Sequence, residues 1–134
     1  MKNRFLVVLL FGSLLLVGCQ GGDTEAVTGT VTLDGTPLPN AEIVFTPEEG
    51  GRPGSAITND SGKYDLRYTV DKPGAPAGKY TVVIRTGTSK LGSDGSEVKV
   101  PEVVPAKYNR KTELTAEIID GRTNQFDFDL KSSN

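Results

Sequence analysis

Apolar residues recur at every second position through most of this chain, and that period decides what it can fold into. Side chains alternate between the two faces of a strand, whereas a helix repeats every 3.6 residues. Val27, Val31 and Leu33 alternate with Thr28, Thr30 and Thr32, and Gly29 fills one inward slot. Asp34-Gly35 opens a turn that Pro37 and Pro39 punctuate. Ala41, Ile43 and Phe45 then point one way, and Glu42, Val44 and Thr46 the other. After a loop of Gly50, Gly51, Pro53 and Gly54, a short strand is expected near Ser55 to Thr58. Asn59-Asp60-Ser61-Gly62 reads as a tight turn, with Asp60 able to cap it through its side chain. Tyr64, Leu66, Tyr68 and Val70 form the inward row of the clearest strand, alternating with Lys63, Asp65, Arg67 and Thr69. Residues 71–78 predict no regular structure, and residues 87–97, rich in Gly, Ser and charge, predict a mobile loop. Tyr80, Val82 and Ile84 mark another strand, as do Leu114, Ala116 and Ile118. Asp120-Gly121 turns the chain into a last strand of Phe126, Phe128 and Leu130 against Asp127, Asp129 and Lys131. No segment holds a helical period. About seven short strands with turn signals between them predict an all-β sandwich.

The N-terminus carries a different pattern. Lys2 and Arg4 precede an uncharged, mostly apolar stretch from Phe5 to Val17. It is shorter than the roughly 20 apolar residues a membrane-spanning helix needs, and it suits the apolar core of a signal peptide. It ends in Leu16-Val17-Gly18-Cys19, which resembles the bacterial lipobox, and Cys19 is the single cysteine of the chain. The lipobox resemblance implies a diacylglycerol on the Cys19 thiol, cleavage before it and acylation of the new amine. Residues 1–18 are then a leader, 19–26 a lipidated flexible tether, 27–131 the sandwich domain and 132–134 a tail. More than one acyl chain holds a protein stably to a bilayer. A tether over 20–26 reaches roughly 25 Å, so the partners expected are the lipid bilayer itself and an envelope protein or glycan close to it. Gln20, where Asp would retain such a protein at the inner membrane, points to the outer membrane of the cell envelope.

Composition then removes whole classes of function. The chain has no His. The commonest general base and metal ligand are therefore absent, and Ser-His-Asp and Cys-His catalysis with them. A formal charge of −2, more acidic once Lys2 and Arg4 leave with the leader, offers no footprint for nucleic acid. With Cys19 lipidated, no disulfide can form, and an extracytoplasmic domain of this size must rely on its core.

The run from Gly29 to Phe45, Gly29-Thr30-Val31-Thr32-Leu33-Asp34-Gly35-Thr36-Pro37-Leu38-Pro39-Asn40-Ala41-Glu42-Ile43-Val44-Phe45, resembles the opening of carboxypeptidase regulatory-like domains. Two further elements agree with it: Thr58-Asn59-Asp60-Ser61-Gly62-Lys63-Tyr64, and Pro76-Ala77-Gly78-Lys79-Tyr80-Thr81-Val82. Val104-Pro105-Ala106-Lys107-Tyr108-Asn109 and Asn124-Gln125-Phe126-Asp127-Phe128-Asp129-Leu130 are similar to runs in small bacterial lipoproteins carrying that domain. The resemblance spans residues 27–130. It implies a transthyretin-like, Ig-like antiparallel sandwich and no particular activity, since fold alone licenses none. One enzymatic branch of such folds, the hydroxyisourate hydrolases, relies on His and a C-terminal Tyr-Arg-Gly-Ser; this chain has neither. The motif residues also have plain structural work: Gly35 and Gly62 suit turns with positive φ, Tyr64 begins an inward row, and Pro37 and Leu38 return the chain to the core.

No cofactor is expected. Asp34, Asp60, Asp94, Asp120, Asp127 and Asp129 could offer oxygens to calcium, but nothing matches a calcium-loop spacing, and Asp127 and Asp129 read as a solvated strand face. A pair of acids could serve a glycosidase, yet no Trp accompanies them to hold a sugar. The irregular segment 97–111 presents Lys107, Tyr108 and Asn109 with Arg110 and Lys111. Packing of Val103, Val104 and Tyr108 onto the sandwich edge is its plainer reading; the alternative is a contact for an acidic or carbohydrate partner. The function expected is therefore a membrane-anchored, non-enzymatic binding or structural module of the cell envelope. The alternatives are a carbohydrate- or peptide-binding component and, further off, a carboxylate-based hydrolase.

Overall fold

A computed structural model describes residues 23–133. The expected leader and Cys19 lie outside the described residues.

The long strands β1, β3 and β8 form where the alternation placed them, and two sheets bury their inward rows against each other. The first sheet centres on β1 (Val27–Leu33), which pairs antiparallel with β2 (Thr36–Pro37) and, beyond β3 (Glu42–Pro47) and β4 (Gly54–Ile57) in sequence, with β5 (Lys63–Asp65). The second sheet takes β3 and β4 together with β6 (Arg67–Thr69), β7 (Lys72–Pro73), β8 (Gly78–Arg85) and β11 (Thr115–Ile118), in the order β11-β8-β3-β4-β6-β7. Between β8 and β11 stand a hairpin, β9 (Thr88–Leu91) with β10 (Glu97–Val100), and a 3₁₀ turn at Ala106–Tyr108. The chain ends on β12 (Asn124–Gln125) and β13 (Phe128–Leu130), which run parallel to β1 in one continuous register, Val27 beside Asn124 and Val31 beside Phe128. This parallel closure joins the two ends of the domain.

The core is the inward set read from the sequence, except for Tyr68 and Val70. Val27, Val31, Ala41, Ile43, Phe45, Leu66, Val82 and Ile84 are fully buried, with Tyr64, Tyr80, Ile118 and Leu130 close behind. Burying each large aliphatic or aromatic side chain is worth about 1.5–3 kcal/mol. Phe45 sits at the centre. Its ring lies 6.0 Å from that of Tyr80 in its own sheet, and 5.9 and 6.4 Å from Phe126 and Phe128 at the edge of the other. Gly29 faces inward on β1 because nothing larger fits: a Cβ there would overlap the Phe126 carbonyl and meet the Tyr64 ring at 2.8 Å. The ring of Tyr64 passes over that gap, and its hydroxyl donates to the Phe126 carbonyl at 2.6 Å. Burial, with the charge of Asp127 nearby, raises the Tyr64 hydroxyl above its ordinary pKa, so it stays protonated and donating.

Four local expectations are corrected. The strand expected from Tyr64 to Val70 is two strands: it leaves the first sheet after Asp65 and joins the second at Arg67, turning on the buried Leu66. Val70 is consequently 92% exposed at the β6–β7 turn rather than inward. The turn at 59–62 is capped by Asn59, not Asp60; its Oδ1 accepts from the amides of Ser61 and Lys63, each at 3.0 Å. Gly35 and Gly62 do adopt positive φ, 80° and 73°. Residues 87–97, expected as a loop, contribute all of β9 and the start of β10, joined through Asp94, whose Oδ1 accepts from Ser96. Residues 71–78, expected to be irregular, include β7 and the first residue of β8.

Candidate functional site

For segment 97–111 the sequence favoured packing onto the sandwich edge over a partner contact, and each of the three side chains singled out for that contact is engaged within the domain. The Asn109 amide nitrogen donates toward the carbonyls of Ile84, Val104 and Pro105 at 3.2–3.3 Å. The Tyr108 hydroxyl accepts from the Lys131 amide at 3.0 Å, just beyond β13. The Lys107 ammonium donates to the Ser133 carbonyl at 2.8 Å and stands 5.1 Å from the centre of the Tyr108 ring. Thr112 continues the seam, donating to the Val82 carbonyl at 2.6 Å. Residues 104–112 thus cover the upper part of β8 through side-chain donors, where β11 no longer supplies backbone ones. Asn109→Ala takes this donor from the Ile84 and Val104 carbonyls, while the Pro105 carbonyl keeps the Tyr108 amide at 3.0 Å, so a loss of about 1–3 kcal/mol is expected in a denaturant titration. Asn109→Asp, which keeps the shape but loses the donor, should lose as much.

A second clamp holds the root of the β9–β10 hairpin. The Glu102 carboxylate accepts from the amides of Thr86 (3.0 Å), Gly87 (3.1 Å) and Val104 (2.9 Å), and from the Thr86 hydroxyl. Burial alone would raise its pKa, but those hydrogen bonds together hold it below the usual carboxylate value. At the other end of the chain, the amide and hydroxyl of Ser132 donate to the carboxylate of Asp34. These donors lower the Asp34 pKa and fasten the residues after β13 to the β1–β2 turn.

The open concavity lies elsewhere. A groove of about 440 Å³ runs between the loop after β3 and the start of β8, lined by Glu48, Arg52, Tyr68, Pro76, Lys79 and Glu117 among others. A neighbouring hollow of about 290 Å³ shares Glu48, Lys79 and Glu117 and reaches Thr115 on β11. Arg52 donates to the Tyr68 carbonyl at 2.9 Å, and its guanidinium stands 5.9 Å from the Tyr68 ring centre, with the Lys72 ammonium at 6.0 Å. Tyr80 closes the floor, its hydroxyl donating to the Pro76 carbonyl at 2.7 Å. The groove is therefore mixed in charge, about as apolar as it is polar, and fastened at its base by hydrogen bonds. Among the described residues, no three His, Cys, Asp or Glu side chains gather where they could hold a metal ion.

The groove adjoins the place where the chain joins the domain. Glu25 and Ala75 exchange backbone hydrogen bonds of 2.8 and 3.1 Å, and the two residues after Ala75, Pro76 and Ala77, line the groove. Within the stretch expected as a tether, Glu25 is thus already fixed to the fold. Sequence reasoning missed the groove because its walls come from residues 47–52, 68 and 76–80, which only the tertiary fold assembles. The cluster Glu48-Glu49-Gly50-Gly51-Arg52 was its one local signal.

No protein-family model and no curated protein matches the chain. Among solved structures, BcpA, the major pilin subunit of Bacillus cereus, aligns over 82% of this chain and 30% of its own, at 15% identity and a TM-score of 0.49. This chain thus spans less than a third of that subunit's length. A candidate carbohydrate binding protein from Pseudomonas aeruginosa aligns over 82% of this chain and 90% of its own, at 12% identity and a TM-score of 0.46. A 9R-lipoxygenase from Cyanothece PCC8801 aligns over 81% of this chain and 16% of its own, at 18% identity and a TM-score of 0.41.

Proposed function

We propose that this chain is a non-enzymatic binding module of the cell envelope, held to a membrane by acylated Cys19, which uses the groove beneath β8 to engage an envelope protein or glycan. The observation that carries the proposal is the position of the groove beside the Glu25–Ala75 bridge. Cys19 precedes Glu25 by few enough residues that an extended chain spans at most about 20 Å. An anchored domain would then present the groove toward whatever lies at the bilayer surface. Lys107, Tyr108 and Asn109 enter this proposal as supports of the loop beside β8, which keeps that edge of the second sheet in place.

The groove's chemistry favours a ligand that carries charged or polar groups beside an apolar part. Tyr68 is flanked by two cations, so it is not a bare platform for a sugar ring, while Glu48, Lys79 and Glu117 offer both charge signs along one wall. The test is binding of the full chain in nanodiscs to a glycan array and to a library of envelope peptides, with Arg52→Ala and Lys79→Ala alongside. Each substitution is expected to weaken the selected ligand about tenfold, the cost of one buried charge-assisted contact. A ligand indifferent to both changes would contradict use of the groove. Hydrolysis of that ligand, lost on Glu48→Gln or Glu117→Gln, would replace the module with a carboxylate enzyme.

A further inference from the structure

Among the described residues, β11 is an edge strand whose only partner is β8. The Val82 amide donates to the Leu114 carbonyl at 2.9 Å, which makes that pair a hydrogen-bonded one. Antiparallel pairs alternate, so Ala116 and Ile118 also bond to β8, while the peptide groups of Thr115 and Glu117 face away from it. The other side of β8 agrees with this phase: the Lys79 carbonyl turns toward β3 and accepts from the Glu48 amide at 3.0 Å. Among the described residues, no strand pairs with the outward edge of β11.

The side chains along that edge are ordered by chemistry. Glu113, Thr115 and Glu117 are exposed on the outer face, and Leu114, Ala116 and Ile118 turn to the core. Neither glutamate joins the ion pairs formed among the described residues, which are Arg67–Asp65, Arg85–Glu42 and Lys131–Asp129. The hollow of about 290 Å³ lined by Glu48, Lys79, Thr115 and Glu117 opens beside the strip on the same face.

We propose that the outward edge of β11 docks an extended basic polypeptide as an added antiparallel strand. The free N–H and C=O groups of Thr115 and Glu117 supply the main-chain bonds, as in strand addition generally. A strand centred opposite Thr115 places residues four apart across from Glu113 and Glu117, and Lys or Arg there completes two cross-strand charge pairs. Two apolar residues between them continue the inward row over Leu114 and Ala116. A second copy of this chain is a poor occupant: pairing β11 with itself about Thr115 sets Glu113 against Glu117 twice, and like charges directly opposite destabilise a sheet.

The test uses the full chain in nanodiscs and a fluorescent peptide, Thr-Lys-Val-Thr-Val-Lys-Thr, followed by anisotropy. Saturable binding is expected. N-methylation of the peptide amides that face β11 should abolish it, and N-methylation of the alternate amides should leave it intact. Glu117→Lys should weaken it about tenfold, and a peptide with Glu in place of Lys should regain the loss on that variant. Arg52→Ala, at the groove, should leave this affinity unchanged, which separates the edge from the groove. The proposal is overturned by an absence of saturable binding, by equal sensitivity to both methylation registers, or by concentration-dependent self-association of the chain that competes with the peptide.

Discussion

Replacing Gly29 with alanine is expected to cost the domain about 4 kcal/mol or more, the range reached when a core site has no room to yield. The added Cβ would fall on the Phe126 carbonyl and meet Cε1 of Tyr64 at 2.8 Å. Neither neighbour can step aside. The Phe126 carbonyl sits between β12 and β13, whose register with β1 fixes it on both sides. The Tyr64 ring is held by its own hydrogen bond to that carbonyl. The substitution therefore forces apart β1 and the C-terminal strand, the pairing that joins the two ends of the domain. The melting midpoint should fall by well over about 10 °C. Thr30→Ala, on the outward face of the same strand, should change stability by less than about 0.5 kcal/mol. Comparable effects from the two changes would mean that close packing at Gly29 is not what holds this pairing.

Phe45→Ala should be almost as damaging, with a loss of about 3–5 kcal/mol in a denaturant titration. Phe45 is fully buried and touches aromatic rings from both sheets. Truncation removes the transfer free energy of the ring and leaves a cavity between layers whose strands are tied by backbone hydrogen bonds and cannot close over it. Small domains are stable by only about 5–15 kcal/mol, so this variant should be partly unfolded at 37 °C. Phe45→Leu, which keeps much of the volume, should lose less than half as much. A loss below about 1.5 kcal/mol for Phe45→Ala would place the core somewhere other than between the two sheets.

The residues that proved hardest to read from the sequence share a cause. Alternation reports which side chains a strand buries, and it placed β1, β3, β8 and β11 because each has one wet face and one dry face. It says nothing about which sheet a strand belongs to. Tyr64, Leu66 and Tyr68 keep one alternating row while the backbone crosses from the first sheet to the second at Leu66. The β9–β10 hairpin escaped notice because both of its faces meet solvent, so no apolar row marks β9. Glu97-Val98-Lys99-Val100 and the Asp94-Gly95 turn were its only traces. Capping fell to Asn59 rather than Asp60 because the amides of Ser61 and Lys63 converge one residue earlier than the sequence pattern suggested.

The candidate site shows the same limit more sharply. Lys107, Tyr108 and Asn109 stood out as exposed chemistry on a long connection, but their hydrogen bonds run to Ser133, Lys131 and the carbonyl of Ile84. Those partners are set by tertiary contacts over 23 or more positions in sequence. The groove was invisible for the converse reason, since no single segment supplies it. Glu48 and Arg52, Tyr68, Lys79 and Glu117 come from four separate stretches of the chain.

The proposal that this is an anchored envelope module rests most heavily on Cys19. Cells producing the full chain and fed an alkyne-tagged fatty acid provide its most direct test, read as label on the wild-type chain beside Cys19→Ser. The account predicts a labelled wild type in the membrane fraction and an unlabelled, uncleaved Cys19→Ser chain. An unlabelled wild type, or equal label on both chains, would contradict it.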